Sequence, residues 1–243
     1  MPTVHIQQPR FLPALNIFQR ALIADIIVWR DDVQYQSKDW ENRNKIKVGQ
    51  GKWAWLTVPI QKCEKGTRIT EALIDDSLDW RSKMCKTVRL AYTHADHFKE
   101  FYPQFEMIVL AGWKDQPLVT LNYALIDMFR EAWRLDKCSF VLASELDCKG
   151  NTDTVLVRMC EKLGATTYLS GAEGRNYNDP ERWEKAGIEL RYHDYVYPKY
   201  RQRHGGTHYF LAWMCALDLL LNCGRDKGRE ILEIGAEQYL PTK

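Results

Sequence analysis

The sequence predicts an α/β fold, a mostly parallel Rossmann-like sheet flanked by helices, with a helical insertion and an added β-hairpin. Three observations carry this. From Phe140 to Tyr192 short apolar runs alternate with helix-period segments, strand–helix–strand–helix–strand. The N-terminal stretch repeats that alternation once, as a βαβ unit. At 243 residues with 45% hydrophobic and 27% charged content, the chain has material for one α/β domain spanning 1–243.

Taken in order, "TVHI" is a short strand and "QQPRFLPALN" a polar, proline-punctuated turn. Leu15, Phe18, Ala21 and Leu22 then recur at helical spacing. "DIIVWRDD" is a second strand, apolar along most of its length as in a sheet covered on both faces. "DWENRNKIKVGQGKWAWLTVPI" reads as a hairpin turning at "GQG". Residues 61–136 form the expected helical insertion, its helices broken at Pro103 and around "GWKDQP", where Asp115 can cap a helix with Pro117 near its first turn.

"SFVLASEL" restores a strand. "GNTDTVLVRMCEKLGA" carries a cap, an apolar face of Val155, Leu156, Met159, Cys160 and Leu163, and a stop at Gly164. "TTYLS" is the next strand, "DPERWEKAG" a helix with Asp179 as N-cap and Pro180 inside it, and "IELRYHDY" a further strand. The chain closes on two helices separated by Gly224.

Composition narrows the function classes. A formal charge of +2 makes no case for nucleic acid or membrane as a bulk partner. The seven cysteines are odd in number, scattered and free of CxxC pairs, so neither a zinc ribbon nor a disulfide framework is indicated. No apolar run is long enough to span a bilayer and the N-terminus lacks a signal-peptide pattern, so a cytoplasmic protein is expected. Nine Trp and twelve Tyr suit carbohydrate or nucleobase sites, and they equally fill cores.

Three polar segments stand at expected strand ends, where open parallel sheets bind ligands. The first holds His5, Gln7, Gln8 and Arg10; the second Asp31, Asp32, Gln34, Asn42, Arg43, Asn44 and Lys45. The third, "SGAEGRNYND", holds Ser170, Gly171, Gly174, Arg175, Asn176 and Tyr177. Its glycines let backbone approach a ligand, Arg175 can fork onto a phosphate or carboxylate, and the loop precedes the helix capped by Asp179. Asp31 and Asp32 are adjacent and so point to opposite sides, one to brace a turn and the other to enter the site. His204, in "RQRHGGTH", suits a general base or a phosphate contact, and a plain surface loop has the same composition. His94 and His97 have helical i,i+3 spacing but no third ligand nearby. No nucleophile elbow, P-loop or GxGxxG fingerprint is present.

With these segments in view, the chain resembles the WbqC-like family of bacterial proteins. The likeness rests on "HIQQPRFLPALNIFQRALIADIIVWRDDVQYQSKDWENRNKIK", "WAWLTVPI", "ASELDCKGNTDTVLVRMCEKLGATTYLSGAEGRNYND", "GIELRYHDYVYPKYRQ" and "ALDLLLNCG". Two places depart from the family's pattern: Gln7-Gln8-Pro9 with Ala14, and "GGTHYFLAWMCALD" before the last helices.

The resemblance implies an enzyme of surface-polysaccharide biosynthesis acting on a nucleotide-linked amino sugar. It would form an amide with an acyl or aminoacyl group such as glycine, the acyl carbon activated by ATP, a carrier or an aminoacyl ester, aminoacyl-tRNA included. Gly171, Gly174, Arg175 and Asn176 would hold phosphate or hydroxyls, with Asn42, Arg43 and Lys45 opposite. Asp32, His5 and His204 are the candidate bases for the amine. The strand, His/Gln/Pro loop and helix at the N-terminus also look like the adenylate-forming nucleotidyltransferases. An ATP-dependent ligase or nucleotidyltransferase, or a non-catalytic sugar-nucleotide-binding protein, are therefore the alternatives.

Overall fold

The computed structural model describes residues 2–112, 115–150, 152–203 and 209–239. Its centre is a five-stranded, all-parallel sheet built from β1 (Thr3–Gln7), β2 (Ile26–Trp29), β5 (Ser139–Leu142), β6 (Thr167–Gly171) and β7 (Glu189–His193), in the order β5-β2-β1-β6-β7. Strands β3 (Arg43–Gly49) and β4 (Lys52–Thr57) form a separate antiparallel hairpin turning at Gln50 and Gly51, the latter at φ 61°. This is the expected α/β architecture with its added hairpin.

Alternation within the strands explains why both sheet faces are covered. Val4, Ile6 and Val28 point to a layer containing α6 (Thr152–Lys162) and α7 (Pro180–Lys185), where Met159, Cys160 and Trp183 are buried. Ile27 and Trp29 point the other way, into a cluster shared by α1 (Leu15–Ile23), α2 (Trp80–Tyr92), α3 (Phe98–Leu110), α4 (Leu118–Ala132) and α8 (Ala216–Ala236). Strands covered on both sides need apolar residues at successive positions, which is why "IIVW" lacks polar alternation.

The chain turns back on itself between β1 and β6. β1 pairs with β2 over four residues, Val4↔Ile26 through Gln7↔Trp29, but with β6 over only two, Thr3↔Thr167 and Val4↔Tyr168. Beyond that pair the seam is continued by a side chain, His5 Nδ1 to the Leu169 carbonyl at 2.7 Å. A switch point of this kind opens a crevice off the carboxyl ends of the strands.

Several local expectations are corrected. "SFVLASEL" does not run on as one strand: β5 stops at Leu142 and α5 (Ala143–Leu146) is a single helical turn. The cause is Asp31, buried at the end of β2, whose carboxylate accepts from Ser144 N (2.9 Å) and Ser144 Oγ (2.8 Å). Pro103 lies inside α3, and the chain breaks instead around His97, before that helix; the expected break around "GWKDQP" does form, α3 ending at Leu110 and α4 starting at Leu118. Asp115 caps nothing: the N-cap position of α4 is Pro117, with no side-chain cap. The "QQPRFLPALN" turn is only partly polar, since Phe11 and Leu12 are wholly buried, Leu12 at φ 42°, and Asn44 Nδ2 carries both their carbonyls.

The caps at Asp179 and Gly164 form as the spacing predicts. Asp179 accepts from Glu181 N with Pro180 at the first helical position, and Gly164 takes φ 63° while Ala165 N closes onto Cys160 O. Gly224, at φ 69°, breaks α8 into two helical pieces. At the start of α8, buried Asp218 accepts from Tyr92 and Tyr200 hydroxyls (both 2.6 Å) and from Gln202 (2.9 Å). That network pins the segment leading to Trp213 against the helices.

Candidate functional site

A cleft of about 860 Å³ opens off the carboxyl ends of β1, β6 and β7, at the switch point. It is lined from β1 by His5, Gln7 and Gln8, from β6 and its turn by Gly171, Glu173, Gly174 and Tyr177, and from β7 by His193. Arg10, Asn16, Arg20, Arg30, Tyr195 and Trp213 complete its walls.

Its floor is built around Arg20. Helix α1 is enclosed almost all round, with Leu15, Ile17, Phe18 and Ala21 buried, and it carries Arg20 inward at 9% exposure. The guanidinium donates from Nε to His193 Nδ1 (3.2 Å), and from Nη1 to His5 Nε2 and Gln7 Oε1 (3.4 Å each). Among the described residues no carboxylate pairs with it. A charge this buried normally sits beside its counter-ion, because desolvating it alone costs several kcal/mol. Burial is the main reason the Arg20 pKa falls to about 10, and Arg10 lowers it further.

Hydrogen-bond partners place the imidazole protons. The Leu169 carbonyl can only accept, so His5 carries a proton at Nδ1, while its Nε2 faces the Gln7 amide at 3.0 Å and Arg20 Nη1 at 3.4 Å. His193 accepts from Arg20 at Nδ1, so its proton is on Nε2, which is buried and has no partner among the described residues. Burial and then the Arg20 charge push His5 down to about 3 and His193 to about 4, so both are neutral at pH 7. The far end of the Gln7 amide and the Tyr195 hydroxyl are likewise buried and unpartnered. Cation and unspent N–H donors converge on this floor, which is the chemistry of an anion receptor.

Glycines let the facing wall pack close. A Cβ on Gly171 would stand 2.9 Å from Arg20 Nη2, and one on Gly174 only 2.0 Å from Ser170 Oγ. The latter is part of a tight 3-10 turn, Ala172–Asn176, folded over buried Ser170, whose hydroxyl takes Asn178 Nδ2 at 3.1 Å.

The first and third polar segments thus meet in the cleft, contributing His5, Gln8, Gly171, Gly174 and Tyr177. Ser170 lies beneath it. Arg175 turns away, forming a two-bond pair with Asp194 (2.6 and 2.9 Å) over the Tyr192 ring, and Asn176 donates to Glu173. The start of α7 is not on the cleft.

None of the residues named for the second segment line it, although their neighbours Arg30 and Val33 do. Asp32 is held by Arg30 at 2.7 Å. Asn42 donates to the Val58 carbonyl, Asn44 holds the 11–12 turn, and Arg43 and Lys45 lie over Trp rings of the hairpin, Arg43 over Trp55 and Lys45 over Trp53. These four form a hairpin group apart from the cleft lining. His204 lies outside the described residues.

Arg20, His193, Tyr195 and Trp213 were not among the expected site residues. His193 had a signal, a polar residue closing a parallel strand, which is where such sheets bind ligands. Arg20 had none: with Asn16 and Gln19 it forms an i, i+3, i+4 polar stripe that reads as a solvated helix face.

Fold and floor together define a parallel α/β protein with a cleft at its switch point whose floor carries a buried guanidinium. The chain belongs to the WbqC-like protein family, whose model matches residues 8–230. It is also similar to the uncharacterized protein Rv1507c of Mycobacterium tuberculosis (strain ATCC 25618 / H37Rv), 32% identical over 236 residues, covering 93% of this chain and 96% of that one. No solved structure matches the chain. Among the described residues no helix is long and apolar enough to cross a membrane.

Proposed function

We propose that the protein is an acyl or aminoacyl transferase that forms an amide on a nucleotide-linked amino sugar, in the cytoplasm, for surface-polysaccharide assembly. The observation that carries this is Arg20, a buried guanidinium with no carboxylate partner among the described residues, flanked by neutral imidazoles in a cleft far larger than a single phosphate. The substrate's phosphate is the missing counter-ion. Gly171 and Gly174 bring the β6 turn close to it, and Gln8, Asn16 and Glu173 suit sugar hydroxyls.

In the reaction the sugar amine attacks the activated acyl carbon. A C–N bond forms, the bond to the leaving group breaks, and the amine gives up one proton. Asp32, His5 and His204 are the candidate acceptors of that proton. An anion on Arg20 offsets the charge that adds to burial in holding His5 low, making the imidazole a better base once substrate is bound.

A second reading is an ATP-dependent ligase or nucleotidyltransferase, favoured by the same donors at the end of β1, which suit a nucleoside triphosphate equally. A non-catalytic sugar-nucleotide-binding protein would use the cleft without chemistry, and variants of the candidate bases Asp32 and His5 that keep the fold would then leave pathway output unchanged.

The test is a thermal-shift screen with nucleotide sugars, ATP and amino acids, followed by mass spectrometry of the sugar after incubation with each acyl source. Added acyl mass supports the transferase; pyrophosphate release without a sugar nucleotide supports the ligase. Stabilisation by none of these ligands sinks the anion-cleft reading.

A further inference from the structure

The cleft has one feature that neither the fold nor the floor explains. Trp213 lines it with its indole 52% exposed, on a backbone at φ 65°, a left-handed conformation that disfavours bulky side chains. Folding alone gives no reason to keep a large half-exposed ring on strained backbone. The residue is nonetheless firmly placed. Its ring rests against Tyr195 and Tyr197, each at 5.5 Å between centroids. Tyr197 donates its hydroxyl to the Met214 carbonyl at 3.0 Å, and Met214 and Cys215 behind it are buried. Cys215 N is tied to Lys45 O, and Ala216 N to Pro13 O.

From this geometry we infer that Trp213 is the platform on which the nucleobase of the substrate stacks, with the Tyr195 hydroxyl beside it for the base edge or ribose. The inference rests on the reading that the cleft takes a nucleotide-linked substrate, and it fixes which end of that substrate lies where. Phosphate goes to Arg20 and the base to Trp213. Two observations select a base over the sugar. The neighbours of Trp213 are aromatic rings, whereas the amides and carboxylate suited to hydroxyls, Gln8, Asn16 and Glu173, belong to the β1 end, α1 and the β6 turn. Near Trp213 the unpartnered polar atom is the Tyr195 hydroxyl, suited to one directional bond rather than to a ring of hydroxyls. Stacking on an indole face tolerates any base, since each has a π-face.

The experiment measures binding of inorganic phosphate, ribose 5-phosphate, uridine and adenosine monophosphates, and glucosamine 1-phosphate to the full chain and to W213G and W213F. Glycine is chosen because φ 65° suits it, so W213G keeps the fold, checked by an unchanged or raised melting temperature. A monophosphate nucleotide should bind the native chain at least about tenfold tighter than ribose 5-phosphate. W213G should erase that advantage and leave phosphate and ribose 5-phosphate within about twofold of their native affinities, while W213F keeps part of it. An advantage that survives in W213G overturns the inference, as does an equal loss for glucosamine 1-phosphate, which would assign the ring to the sugar. Native binding of phosphate with no preference for a base sinks this inference alone. Failure of every phosphate compound to bind the native chain sinks the cleft reading as well.

Discussion

Arg20 and Gly171 meet so closely that a single methyl on the glycine would lie 2.9 Å from the guanidinium nitrogen Nη2. The strand end and the helix are therefore shaped to each other, and the substitution G171A tests that fit. Gly171 has extended backbone, so alanine meets no conformational penalty there. Stability should change by less than about 1 kcal/mol as the arginine tip shifts, while phosphate affinity falls about tenfold by calorimetry. G174A, whose new carbon would sit 2.0 Å from Ser170 Oγ, should instead destabilise by about 1–3 kcal/mol. Equal effects from the two would break the distinction.

Arg20 itself should matter more to binding than to stability. R20M removes a desolvated cation but strands its buried acceptors, His193 Nδ1, His5 Nε2 and Gln7 Oε1, so the two effects oppose and the ligand-free protein should change by less than about 2 kcal/mol. The variant should lose the stabilisation that ligand at a hundred times Kd confers on the native chain, about 2.7 kcal/mol. Denaturant unfolding with and without phosphate reads both. An R20M protein that still responds to phosphate would contradict the assignment.

Acid should weaken the fold through the two histidines. Their folded pKa values, about 3 for His5 and about 4 for His193, lie below the unfolded value of about 6.5. Between those limits the unfolded chain binds more protons, so stability rises with pH. The contribution is complete above about pH 6.5 and is lost as the pH falls toward 4 and then 3. The slope approaches about 1.4 kcal/mol per pH unit for each histidine. H193Q should remove its share of the slope between pH 6 and 4.5; a slope identical to the native one would show that His193 titrates normally.

Asn44 offers a different kind of check. Its amide is the partner of the Phe11 and Leu12 carbonyls, at 3.3 and 2.7 Å, beneath a leucine in left-handed backbone. N44A should cost about 1–3 kcal/mol by leaving buried carbonyls unmet. Phosphate affinity should hold within about twofold, because the residue does not line the cleft. A large loss of affinity with stability intact would return Asn44 to the site.

Why some of this was legible in the sequence, and some not, follows from the range of the forces involved. The strands β1, β2, β6 and β7 and the caps at Asp179 and Gly164 are written in local periodicity and turn chemistry, and they form as that pattern dictates. The end of β5 is set by Asp31 reaching Ser144 across 113 positions, which no local window contains. Glycine spacing marks Gly171 and Gly174, and strand ends mark His5 and Gln8, all of which line the cleft. Arg20 is different. Its role depends on a helix being enclosed by elements more than a hundred residues away, and from composition it looks like any solvated arginine. The hairpin residues Asn42 to Lys45 mislead for the converse reason: a dense polar cluster can be consumed by backbone carbonyls and indole rings as readily as by a ligand.

The seam between β1 and β6 has a final consequence. Two residue pairs hold it, and from there a lone imidazole bridges to a backbone carbonyl. The gap between the two halves of the sheet is therefore a property of residue 5 rather than of the backbone ladder. A shorter or longer side chain at that position would therefore reset the width of the cleft with every strand left in register.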